Sequence, residues 1–371
     1  SGEERLVSES ISDQLRRAGA KSSAIQTDCA HRRTPLAGQV GNLVFRMPGT
    51  LRGPRRMLMA HMDTVPICVG AQPVLDKGRI RSRDPNTGLG ADDRAGVAVI
   101  LNTAIELLRR RITHPPLTFF WTVQEEVGLQ GVRYASLGQL GKPQLAFNFD
   151  GGSPEKLTVG ATGGYRMVIR IKGLASHAGN QPEHGISAIA IAGLAIADLQ
   201  ENGWHGAIEK GRRRGTSNIG VIHGGSATNV VTDHVEIHAE ARSHSPAFRK
   251  RIVREIEQAF VQAGKSVTNV FGVCGSVHID GRLDYEAFRL SARQPCVRIA
   301  EATVRSVGGR PFRCISDGGL DANWLTARGI PTVTLGCGQL FQHTCKERLD
   351  IPMFHQACQI ALQLASGYGQ N

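Results

Sequence analysis

The stretch that most constrains this chain is Leu117-Thr118-Phe119-Phe120-Trp121-Thr122-Val123, an apolar run that leads into Gln124-Glu125-Glu126-Val127-Gly128. A run that is apolar throughout, rather than alternating, suits a strand buried on both faces of a helix-covered parallel sheet. Open α/β sheets hold their ligands outside the carboxyl ends of such strands. Two acids at that end are therefore well placed for chemistry. Neighbouring side chains there point to different sides, so Glu125 and Glu126 divide into separate tasks, one for a metal and one for a proton. Taken alone, the pair reads more simply as acids opening a helix, where the dipole favours them; the rest of the chain decides.

The surrounding segments supply a sheet. Residues 42–47 and 57–62 read as strands, the second ending in His61-Met62-Asp63. From Asp93 a helical stripe runs through Ala95, Val97, Val99, Ile100, Ala104 and Leu107. Residues 146–150 form another strand, followed by Gly151-Gly152, and 331–335 a later one. This alternation predicts an α/β fold, a mostly parallel mixed sheet flanked by helices. The pattern breaks near Gly163-Gly164. There 165–171 alternates apolar and polar, as a half-exposed strand does. Helices over 186–202 and 246–263 interleave with strands near 217–222, 234–242 and 273–279. Such a mixture predicts an inserted α+β, ferredoxin-like module. Parallel-type patterning then returns, with a helix expected over 287–306. The expected domains are 1–162 and 284–371 for the main body and 163–283 for the insert. Within the insert, 203–215 reads as a basic loop.

The polar residues at the strand ends are His61 and Asp63, Asp92 and Asp93, Glu125 and Glu126, and Asp150; His343 and Glu347 follow the last strand. Parallel strands bring these ends to one edge. Two imidazoles among several carboxylates are ligands of the kind that zinc or a similar divalent ion takes. The set exceeds the three ligands of a single catalytic zinc and suits two ions sharing a bridging carboxylate. Each member has a plainer reading: a hydrogen-bonded His-x-Asp pair, a helix N-cap at Asp92-Asp93 with Asp93 as no more than that cap, a turn at Asp150-Gly151. Those readings do not account for all of them occurring together in this sheet context.

The set His61-Met62-Asp63, Gly90-Ala91-Asp92-Asp93-Arg94-Ala95-Gly96, Glu125-Glu126-Val127-Gly128, Asp150-Gly151, and His343 with Glu347 resembles the co-catalytic zinc peptidase superfamily. That superfamily holds peptidase T, the glutamate carboxypeptidases, aminoacylase and succinyl-diaminopimelate desuccinylase. The resemblance covers nearly the whole chain. Leu89 ahead of the Gly90 motif, and Ser176-His177-Ala178-Gly179 with Pro182-Glu183 and Gly185, look most like the peptidase T branch. The resemblance implies that Asp92 bridges two divalent ions, that His61 and Asp150 hold one, and that Glu126 and His343 hold the other. Zinc is the expected metal, with cobalt or manganese as alternatives. It implies that Asp63 orients the His61 ring and that Glu125 carries a proton from the bridging water to the leaving amine. The insert resembles the superfamily's lid, which also serves as a dimerisation surface. His177 matches a histidine that helps stabilise the oxyanion, supplied in several relatives by the partner subunit. Asn229 and Arg242 match positions that hold substrate carbonyl or carboxylate groups, and an arginine fork suits a carboxylate. Hinges are expected near Gly163-Gly164 and between 279 and 287, with closure carrying His177, Asn229 and Arg242 to the metals.

Composition narrows the alternatives. The net charge is +12, but the basic clusters at 109–111, 210–214 and 249–251 are short, scattered and not interleaved with aromatics in the sequence. They read as solvated faces and argue against nucleic acid as a partner. No apolar stretch reaches the length a membrane-spanning helix needs. The eight cysteines include no C-x-x-C pair and read as reduced thiols, which suits a cytoplasmic setting. The chain starts at Ser1 without a methionine, so residues ahead of it, a removed signal peptide included, stay open. The expected function is a metal-dependent aminopeptidase acting on short peptides, with a homodimer formed through the lid. An N-acyl-amino-acid deacylase or carboxypeptidase would use the same residues, and no residue reading a free α-amine stands out. A metal-free binding protein on this fold should have lost Glu125 or a ligand, and all are present.

Overall fold

Four apolar strands lie side by side and parallel at the centre of a nine-stranded sheet: Leu117–Thr122, Arg56–His61, Leu145–Phe149 and Thr332–Leu335. Every residue of the four is buried, which is why the sequence there is apolar without alternation. Leu43–Met47 and then Ile25–Thr27 extend one side antiparallel. Lys156–Ala161 extends the other side antiparallel to Thr332–Leu335, and it pairs in turn with Phe288–Arg289 and Phe312–Ser316. The computed structural model describes residues 1–367; positions 368–371, the end of the expected second catalytic segment, lie outside the described residues.

The helix Ala91–Arg110 follows the His61 strand and packs hard onto the sheet. A Cβ at Gly96 would stand 2.1 Å from the Phe149 carbonyl oxygen, so only glycine permits this approach. Phe45 stacks on Phe119 of the neighbouring strand, and Phe119 on Trp121 along its own, with ring centres 5.9 and 6.1 Å apart. Such contacts contribute about 0.5–1.5 kcal/mol each beyond the area they bury. A second, four-stranded sheet joins Gln339–Leu340, Arg348–Asp350, Arg79–Ser82 and Pro73–Asp76.

The chain divides into two units, Ser1–Ala161 with the chain from Phe288 onward, and Thr162–Ala287. The second unit is an antiparallel sheet in the order Gly206–Lys210, Arg213–Gly224, His234–Ser243, Gly163–Lys172, Ser276–Tyr285. Leaving aside the short first strand, this is the βαββαβ arrangement with its two helices, Ala188–Glu201 and Pro246–Ser266. Alternate residues Met167, Ile169, Ile171, Val235, Ile237 and Ala239 point into its own core with Phe248, Ile252 and Phe260.

Two expectations need correction. The basic stretch 203–215 is no loop: Gly206–Lys210 and Arg213–Gly224 form a hairpin, turning at Gly211 with φ 64° and carrying a Glu209–Arg214 ion pair at 3.1 Å. The helix expected over 287–306 begins only at Pro295. Proline at the first turn costs nothing because its missing N–H would be unpaired there, while Phe288–Arg289 is already bound as strand to Gly160–Ala161.

Candidate active site

The parallel strands deliver their polar residues to one edge. His61 is the last residue of its strand, and its backbone N–H donates to Asp93 Oδ2 at 3.0 Å. Glu125 and Glu126 follow Leu117–Thr122, Asp150 follows Leu145–Phe149, and His343 lies beyond Thr332–Leu335. Asp92 opens the helix that follows the His61 strand.

Asp92 sits between the two imidazoles. Its Oδ1 is 3.2 Å from His61 Nε2 and its Oδ2 is 3.3 Å from His343 Nε2. His343 Nε2 is also 3.0 Å from Glu126 Oε1. Ligand atoms of His61, Asp92 and Glu126 lie within 4.8 Å of one another, as do those of His61, Glu125 and Asp150 and those of Asp92, Asp93 and Asp150. Ions held at about 2.0–2.2 Å by nitrogen and oxygen fit among atoms spaced this way. The donor set, imidazole and carboxylate without thiolate, fits zinc and similar divalent ions.

Asp63 does more than face the His61 ring, whose Nδ1 lies 3.4 Å from Asp63 Oδ1 and 3.2 Å from the Asp63 carbonyl. Its Oδ1 accepts from the Glu125 backbone N–H at 2.9 Å and its Oδ2 from that of Glu126 at 3.2 Å. One carboxylate thus fixes the imidazole and both glutamates. Ser1 Oγ donates to the same group at 2.5 Å.

Electrostatics follow from crowding. Burial, together with Asp92 and Glu126, pushes Asp150 up to about 7. Burial, with Asp321, Asp150 and Glu126, holds Glu125 well above the usual carboxylate range. Burial would raise Asp92 too, but His343 and His61 outweigh it and hold it low. Hydrogen bonds to Asp92 and Glu126 raise His343 to about 10. A buried acid with a raised pKa suits a group that takes and returns a proton.

Several residues support the site in roles that the sequence pattern did not assign, although Asp93 and Glu347 were already among the polar residues it singled out. Asp93 is the helix cap, accepting from Gly96 N–H at 3.1 Å, but it also takes the His61 amide and Gln339 Nε2, the latter at 2.7 Å. Gln339 accepts from Gly151 N–H at 2.9 Å, tying Asp93 to the Asp150 turn. Glu347 is buried and accepts the backbone N–H groups of Gly90 at 2.6 Å and Asp92 at 2.9 Å. Asp321, also buried, takes the Thr122 hydroxyl at 2.5 Å at the end of the central strand.

The second unit brings His177 and Asn229 together: Ala178 N–H donates to the Asn229 carbonyl at 2.9 Å. His177 Nδ1 accepts from the Gly179 and Asn180 amides at 3.1 Å each, which leaves its Nε2 as the N–H donor. Arg242 is elsewhere. It pairs with Gly164 near the other end of the strand His234–Ser243, roughly 25 Å along that strand from His234, and its guanidinium is held by Glu240 at 2.9 Å through two bonds. The three residues expected to arrive together at one point are therefore spread over the length of the unit.

Comparison with known proteins agrees with this architecture. Residues 159–268 match the peptidase dimerisation domain, and 42–183 match peptidase family M28. The chain is 33% identical over 312 residues to the uncharacterized protein YqjE of Bacillus subtilis, covering 84% of this chain and 80% of that one. A tripeptidase from Staphylococcus aureus superposes with a TM-score of 0.87 at 30% identity, covering 99% of this chain and 93% of that one. Aminopeptidase PepT from Bacillus cereus superposes with a TM-score of 0.82, also at 30% identity, over 96% and 91%. The chain spans about half the length of the probable carboxypeptidase of Paracoccidioides lutzii, to which it is 29% identical over 227 residues. Sequence relatedness and a shared fold over the full length place this chain in the M20 family of metal-dependent peptidases, alongside peptidase T and the tripeptidases.

Proposed function

We propose that this peptidase is an aminopeptidase for short peptides that works with two divalent ions, zinc first among them. The observation that carries this reading is Asp92, whose two carboxylate oxygens each face a different imidazole. On this reading His61 and Asp150 would hold one ion and His343 and Glu126 the other, with Asp92 placed to serve both. When bound, such a pair lowers the pKa of a water and polarises a carbonyl. The protein's own groups then do the following. Glu125, held by its backbone to Asp63 and kept above the usual carboxylate range by burial, takes a proton at its carboxylate and returns it to the leaving amine. Asp63 fixes the His61 ring and keeps both glutamates in place. His177 offers Nε2–H to a developing oxyanion and Asn229 binds a substrate polar group, both from one protomer; Arg242, at the far end of the strand, would serve a substrate carboxylate in the other protomer's site.

We also propose that the second unit self-associates. Arg213–Gly224 has a neighbour on its hairpin side only as far as Ser217. Ile222 on that strand, and Ile189 and Leu194 on the helix Ala188–Glu201, are each about half exposed, and such apolar surface and open strand edges favour pairing. The eight unpaired cysteines agree with a reducing, cytoplasmic setting.

The test of substrate class is a panel of tripeptides, N-acyl amino acids and peptides blocked at the amine, assayed with added zinc or cobalt. Turnover of free-amine tripeptides, with loss on blocking the amine, is the expected outcome. Turnover of the acyl amino acids alone would make the protein a deacylase and leave the ion site standing.

A further inference from the structure

The backbone N–H groups of Gln124, Glu125 and Glu126 are all taken by carboxylates. Asp63 accepts the last two. The first donates to Glu4 Oε1 at 3.3 Å, and the same oxygen accepts the Gly2 N–H at 2.6 Å. Ser1 Oγ in turn donates to Asp63. Residues 1–4 thus reach the turn that bears both glutamates through two buried carboxylates. Gln124 itself has φ 53°, in the left-handed region that side chains other than glycine, asparagine and aspartate seldom enter. Such a conformation persists only where its surroundings hold it. Here both backbone groups of Gln124 are tied, the N–H to Glu4 and the carbonyl to the Gln130 N–H at 2.9 Å. A Cβ at Gly38 would stand 2.6 Å from Gln124 Nε2, so the side chain is enclosed as well.

Two plainer accounts of Glu4 are available. It stands at the N-cap of the helix Arg5–Arg17, where an acid ordinarily accepts an amide of its own first turn. Its side chain makes no such bond and goes instead to a residue 120 positions away. It could also serve as a counter-charge: burial lowers the Arg94 pKa, and the charges of Asp63 and Glu4 act against that. Among the described residues, however, no hydrogen bond or ion pair joins Glu4 to Arg94; its bonds go to backbone amides. Glu4 is only 2% exposed, and burying a carboxylate is costly unless its acceptors are used. Holding the bend before Glu125 is the use that the bonds show.

We propose that Glu4 is a positioning residue for the reaction: its carboxylate holds the left-handed bend at Gln124 and thereby sets where the Glu125 carboxylate stands. The inference rests on the reading of Glu125 as the group that takes and returns the proton. Glu4 acts through the backbone and not on the substrate. The Glu126 N–H is held by Asp63 and does not depend on Glu4, so ion binding should survive the loss of Glu4 while proton transfer suffers.

The test compares Glu4→Ala, Glu4→Gln and Glu4→Asp with the unaltered chain by kcat, KM and metal content, at a temperature where each is folded. Glutamine keeps the length and an acceptor oxygen but removes the charge. Aspartate keeps the charge but shortens the reach by one methylene. The expected result is a kcat within about threefold of normal for Glu4→Gln and a loss of roughly ten- to a hundredfold for Glu4→Ala and Glu4→Asp, the scale of a misplacement of about 1 Å. KM and metal content should stay as in the unaltered chain, which general damage to the fold would not allow. Hydrogen exchange over 123–128 needs no substrate and should speed up in Glu4→Ala and Glu4→Asp but not in Glu4→Gln. The contrast between glutamine and aspartate decides the matter if Glu4→Ala folds poorly. A Glu4→Gln protein as slow as Glu4→Asp, or unchanged exchange in all three, would overturn the proposal. An unaltered chain that turns over neither free-amine peptides nor acyl amino acids would sink the proposed function and this inference with it; an active chain indifferent to Glu4→Ala and Glu4→Asp would sink this inference alone.

Discussion

Asp63 shows how much one carboxylate can organise. It touches the His61 ring and the backbone N–H groups of Glu125 and Glu126, so it positions a proposed ligand and the proposed base together. In Asp63→Asn the amide turns a donor toward at least one of these partners. Ion affinity is expected to fall about 10–100-fold, the usual cost of losing a group that orients a ligand, measured by competition with a zinc chelator. Unchanged affinity would reduce Asp63 to a folding residue. The proposed ligands could be found from sequence because few residue types bind such ions, they gather at or beyond the strand ends, and the family resemblance sorts ligands from their neighbours. Their supports could not. Thr122 and Asp321 are 199 positions apart, and Asp93 and Gln339 are 246 apart. No spacing rule links them, and Asp93 looked sufficient as a cap because capping is a complete local explanation.

At the scale of elements, the site depends on how closely the helix Ala91–Arg110 approaches the sheet. Gly96→Ala would drive a Cβ into the Phe149 carbonyl and the Asp93 carboxylate, at 2.1 and 2.4 Å. Overpacking of this kind costs about 1–3 kcal/mol or more, read as a lower thermal midpoint. A change within experimental error would mean the helix can shift freely. Glu347 pins the start of the same helix from the far end of the chain. Glu347→Gln should destabilise by about 1–3 kcal/mol, the cost of leaving buried donors unsatisfied, and should weaken ion binding as well; full stability with full ion affinity would contradict the pin. The central strands were legible because burial on both faces leaves an unbroken apolar run. Lys156–Ala161 and Phe312–Ser316 were not, since the first carries Gly160 close to Gly163-Gly164 and the second is half polar and largely exposed. The strand expected at 217–222 lies within Arg213–Gly224, while the rest of the hairpin, 206–216, was hidden by its charge, because charged residues crowd strands that bury little.

For the whole molecule, the buried charges set the pH response of the metal-free protein. Asp150 is raised to about 7 and Glu125 is raised, both chiefly by burial; hydrogen bonds to acids raise His343 to about 10, and acids also raise His61 against the effect of its burial. Asp150 and Glu125 hold more proton in the folded than in the unfolded chain from about pH 4 upward, and His61 and His343 do so from about pH 6, so folding stability falls as pH rises through these ranges. Asp92 and Asp63 are lowered by their histidine contacts despite burial, and they act in the opposite direction only below about pH 4. Chelator-treated protein should therefore melt at a lower temperature near pH 8 than near pH 5, and added zinc should restore more at the higher pH. A metal-free protein that gains stability across that range would contradict the charge balance described here.

Glu125 and Glu126 are proposed to divide the work between proton and metal. This division is tested by metal analysis and tripeptide turnover on Glu125→Gln and Glu126→Gln beside the unaltered chain. The expectation is about two ions per chain in the unaltered protein, as a shared bridging carboxylate requires. Glu125→Gln should keep both ions while turnover falls by a factor on the order of a hundred to ten thousand. Glu126→Gln should lose an ion. If Glu125→Gln strips metal while Glu126→Gln retains it, the two glutamates have exchanged roles, and if the unaltered chain holds no metal, the assignment of the site fails.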